Sequence, residues 1–104
     1  MGVAESDVFL ALVTKYYLED IRKHDARVIA QIEQAKALNK PVILAICTEL
    51  TEQERQEAET IFKNHNVIGR VYFERDKPET ITQSAIQAKQ IAEKWLRERN
   101  RISE

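Results

Sequence analysis

The chain has 104 residues, room for one hydrophobic core, and its 43% hydrophobic and 32% charged composition is that of a globular domain. A formal net charge of -1 leaves no positive field to gather phosphates, which argues against an electrostatic nucleic-acid binder. Cys47 is the single cysteine, so an internal disulfide is excluded, and no apolar run approaches the ~20 residues that span a bilayer. Met1-Gly2-Val3-Ala4-Glu5 is too short and too acidic for a signal peptide. The expectation is a single cytoplasmic domain over residues 1–104, away from membranes.

Ser6-Asp7 leads into Val8-Phe9-Leu10-Ala11-Leu12-Val13, an almost continuous apolar run that reads as a strand covered on both faces. Thr14-Lys15-Tyr16-Tyr17-Leu18 follows, and a short helical turn is expected from Tyr17 to Lys23. A longer helix then begins at Asp25, whose carboxylate can cap it by accepting from the amides of Arg27 or Val28. In one unbroken helix Asp25 would share a stripe with Ile21, Ile29 and Ile32, so a break near His24 keeps a carboxylate out of the core.

Ala37-Leu38-Asn39-Lys40-Pro41 ends that helix, because Pro41 biases Lys40 away from helical geometry, and Val42 to Cys47 reads as a second buried strand. Thr51-Glu52-Gln53-Glu54 matches a capping box, which places a helix over Glu52 to Lys63 with a narrow apolar face of Ala58, Ile61 and Phe62. Asn64-His65-Asn66 is a polar break with His65 at the surface. Val67 to Phe73 is a third, more polar strand expected near an edge. Asp76-Lys77-Pro78 opens the last helix, whose stripe of Ile81, Ala85, Ala88, Ile91 or Ala92, and Trp95 runs to a basic end that frays from Arg101.

Strands alternating with helices predict a parallel sheet with right-handed crossovers, a small three-layer flavodoxin-like βαβαβα unit. Three strands are few for such a sheet. The outer ones are too apolar to face water bare, which predicts that another segment or a second copy of the chain covers an edge.

Ser6-Asp7 before a strand, then Thr14-x-x-Tyr17-Leu18, resembles the central block of Toll/interleukin-1 receptor (TIR) domains. The capped helix ending Ala37-Leu38-Asn39-Lys40-Pro41-Val42 resembles that family and the related nucleoside deoxyribosyltransferases. The resemblance covers only the second half of a TIR domain, without its first two strands and ligand loop. It implies a catalytic glutamate ten residues before the proline, where this chain has Gln31, and a capping serine where it has Asp25. The Trp-Cys pair after the cap is Arg27-Val28.

N-glycosidic cleavage needs a carboxylate to stabilise an oxocarbenium-like centre or to attack it. Gln31 can hydrogen-bond a ribose but carries no charge, and Glu33, about 200° further round a helix, faces away. Asp20, Thr14, Tyr16 and Tyr17 follow the first strand and could approach a crevice beyond the strand ends, whereas Asp7 precedes the strand. Cys47 ends the second strand without an evident activating base, and a buried small hydrophobe is its commoner role. His24 and His65 make no metal pattern, and Gly69, the only glycine after Gly2, excludes a glycine-rich phosphate loop.

The residues therefore favour a non-enzymatic interaction module that forms homo-oligomers, with no required cofactor. The alternative is an N-glycosidase acting on NAD or a nucleoside, with Thr14, Tyr17, Asp20 and Gln31 around its pocket and a noncanonical catalytic group. Gln31→Glu separates the two: a gain of NAD hydrolysis, read by nicotinamide release, is expected only if a nucleotide pocket persists and has lost its charge.

Overall fold

The computed structural model describes residues 8–103, so the Ser6-Asp7 pair and Glu104 lie outside the described residues. In chain order the elements are β1 (Phe9–Val13), α1 (Lys15–Arg22), α2 (Ala26–Ala37), β2 (Pro41–Cys47), α3 (Glu52–Ile61), β3 (Asn66–Phe73) and α4 (Pro78–Ser103). The strands make a parallel sheet in the order β1-β2-β3, with β2 in the centre. Both crossovers step in the same direction, so right-handed connections put α1, α2 and α3 on one face. Among the described residues the other face carries α4 alone. The expected small three-layer α/β unit is what forms.

Local chemistry sets the helix ends. The Thr14 side-chain oxygen accepts from the Tyr17 N–H at 3.1 Å, and this cap starts α1 at Lys15, two residues earlier than the sequence pattern suggests. His24, at φ 58°, breaks the chain where the Asp25 argument requires a break. The His24 N–H donates to the Ile21 carbonyl and the Asp25 N–H to that of Asp20, the paired bonds of a Schellman end. Asp25 then caps α2 through the amides of Arg27 and Val28. Asn39, at φ 52°, closes α2 in the same way. Thr51 and Glu54 form the full capping box of α3. The last helix is assigned to Ser103.

All seven residues of β2 are buried, as a central strand between two covered faces requires. Phe62, just past α3, packs against Phe9 with ring centroids 6.4 Å apart, and the Arg70 guanidinium of β3 donates to both carboxylate oxygens of Glu59 on α3 through Nε and Nη2. Two expectations need correction here. β1 is not covered on both faces: Ala11 and Val13 are buried, but Leu10 and Leu12 are 44% and 57% exposed. The cause is the position of α4, which packs on β3 and part of β2 and stops short of β1. Nor is His65 a surface residue, since its ring is half-buried, edge-on to Phe62 at 5.0 Å, with Nε2 3.0 Å from the Ile32 carbonyl.

Gly69 lets α4 lie close to the sheet. It follows a register irregularity in which Val42 pairs with Val67 but Ile43 with Gly69, so Ile68 is the extra residue. A Cβ at position 69 would lie 2.9 Å from Ile91 Cδ1 and 3.0 Å from its Cγ2. Gly69→Ala must therefore push Ile91 outward, and a loss of about 1–3 kcal/mol in denaturant unfolding is expected.

Candidate functional site

The carboxyl ends of the strands hold most of the residues singled out from the sequence. Thr14 leaves β1 and spends its side chain on capping α1. Tyr16 is 61% exposed, with the Arg75 guanidinium 5.2 Å from its ring centroid. Tyr17 points the other way and packs against the core. Cys47 ends β2 fully buried, one residue before Thr48, whose N–H donates to the Phe73 carbonyl and extends the ladder. Asp20 is half-buried on α1, and its carbonyl serves the Schellman end.

Gln31 does not join this group. It lies on the exposed side of α2, next to the buried Ile32, and Glu33 is exposed as well. Among the described residues no cluster of histidine, cysteine or carboxylate side chains could hold a metal ion. Three of the candidates, Thr14, Tyr16 and Cys47, thus cluster at one rim in structural or exposed roles, while Gln31 stands apart on a helix surface.

The most unusual surface lies on the α4 face of β1. Leu10 and Leu12 form the floor of a groove of about 250 Å³, Ile81 and Ala85 of α4 form its wall, and Ala45 and Val71 line its inner side. Its lining is almost wholly apolar. The apolar stripe of α4 faces both the sheet and this groove. Ser84 and Ala88 are buried beneath the helix, and Ile81, at 44% exposure, overlooks the groove. On the opposite flank α4 presents Gln87, Gln90 and Lys94 beside Arg70. Sequence reasoning missed this site because the run Val8 to Val13 looks uniformly buried. The available signal was the tension between two apolar outer strands and a single closing helix.

The two sheet edges differ in kind. Along β3 a bulge at Ile68 and the Arg70–Glu59 clasp interrupt the edge. The Arg70 guanidinium holds the Glu59 carboxyl below its ordinary range, so this clasp is present above the usual carboxylate pKa and is lost as pH falls through the lowered one. Along β1 the register from Phe9↔Val42 to Val13↔Ile46 is unbroken, and the strand has no charge, proline or glycine. Those are the devices that normally blunt an edge.

Tyr17 offers a separate check on the rim. Its hydroxyl is buried with no hydrogen-bond partner among the described residues, and burial pushes its pKa up to about 12. The unfolded chain ionises this phenol from pH 10.0. Between there and about pH 12 the folded state holds the extra proton, so stability falls as pH rises. Tyr17→Phe is expected to leave stability at pH 7 within about 1 kcal/mol and to flatten the alkaline decline in thermal unfolding. Compared with family models, with curated proteins and with solved structures, the chain has no match in any of the three.

Proposed function

We propose that the chain is a non-enzymatic protein-interaction module that works by self-association. The observation that carries this reading is the uncovered flank of β1, where Leu10 and Leu12 face the apolar wall of α4 across an open groove. An apolar floor with an unblunted strand beside it is costly to leave in water and favourable to cover with another chain. The TIR-like punctuation around Thr14, Tyr17 and Pro41 supports a role in signalling or defence scaffolding. Gln31 in place of a glutamate, on the exposed side of α2, favours scaffolding over N-glycosidic cleavage.

Light scattering over a concentration series, with and without NAD, tests this. The expected result is a mass approaching twice the 12.1 kDa of one chain, unchanged by NAD, and a return toward the single-chain mass in Leu12→Lys. Because Leu12 is 57% exposed, the lysine is compatible with the fold. A chain that stays monomeric at every concentration overturns the proposal. One that changes mass only when NAD is added overturns it in favour of a ligand-responsive role.

A further inference from the structure

We propose that two copies join by antiparallel pairing of β1 with β1 about a two-fold axis through Ala11, giving one six-stranded sheet. This rests on the self-association reading and specifies its interface. A two-fold interface must be self-complementary, and an antiparallel strand pair meets that condition only if its sequence reads alike in both directions. Val8-Phe9-Leu10-Ala11-Leu12-Val13-Thr14 does so around Ala11. In this register Leu10 of one copy stands opposite Leu12 of the other, Phe9 opposite Val13, and Val8 opposite Thr14.

Neighbouring registers are worse. β1 runs from Phe9 to Val13 with Ala11 at its midpoint, so centring the pair on Leu10 or on Leu12 leaves only three of its five residues paired. A centre between two residues turns one copy over, which places its leucines on the opposite side of the joined sheet. The Ala11 register pairs the whole strand and merges like faces, so that four leucines form one floor between the two copies of α4. The other edge is a poor competitor, because β3 carries the Ile68 irregularity and the Arg70–Glu59 clasp.

The test is disulfide trapping in a Cys47→Ala background, using Leu10→Cys and Leu12→Cys as separate proteins and oxidised glutathione as oxidant. Residues directly opposite across an antiparallel pair are close enough for a disulfide. Mixing the two proteins is expected to give a covalent heterodimer several-fold faster than either protein gives a homodimer. A dimer without the heterotypic preference overturns this interface while leaving self-association standing. Absence of any dimer overturns both.

Discussion

Everything in this fold depends on keeping β2 dry. Seven consecutive residues from Pro41 to Cys47 are buried, so the strand needs hydrogen-bonded neighbours on both edges and apolar cover on both faces. β1 and β3 supply the edges, each by parallel pairing that requires a crossover helix. Those helices cover one face. The remaining face falls to the last helix, and a single helix placed to serve β2 and β3 has no width left for β1. The open flank at Leu10 and Leu12 is thus the residue of a covering problem solved for the central strand and left unsolved at one margin.

Sequence pattern reveals most of the elements because their signals are local. Thr51 and Glu54 satisfy each other's termini within four residues, Asp25 caps the helix it begins, and Pro41 stops the helix before it. What sequence pattern does not reveal depends on which element lies against which. An apolar run such as Val8 to Val13 has the same composition whether one of its faces is covered or two, and only the position of α4 decides between them. His65 is the same case at the scale of one side chain. A histidine between two asparagines looks solvated, yet the crossover brings it beneath Phe62 and within reach of the Ile32 carbonyl, 33 positions away.

The candidate site was legible in part. Thr14, Tyr16 and Cys47 do assemble at the carboxyl ends of the strands, as a parallel sheet demands. Their chemistry there is committed elsewhere: Thr14 to a helix cap, Tyr16 to a cation over its ring, Cys47 to the core. Counting back from Pro41 locates Gln31 along the chain but cannot tell which side of α2 it occupies. That side depends on the stripe through Ile32 and Ala35, the two residues of this helix that are buried.

The strand order has a consequence for how the chain acquires its structure. Phe9 pairs with Val42, 33 positions on, and Cys47 pairs with Phe73, 26 positions on, so each strand pair closes a loop of similar, moderate length. No strand inserts between two that are already paired. Contacts can therefore form in the order in which the chain leaves the ribosome, with β1 and β2 joined across α1 and α2 before β3 is made. The leading edge of the sheet is complete at that stage, while its trailing edge is still to be built.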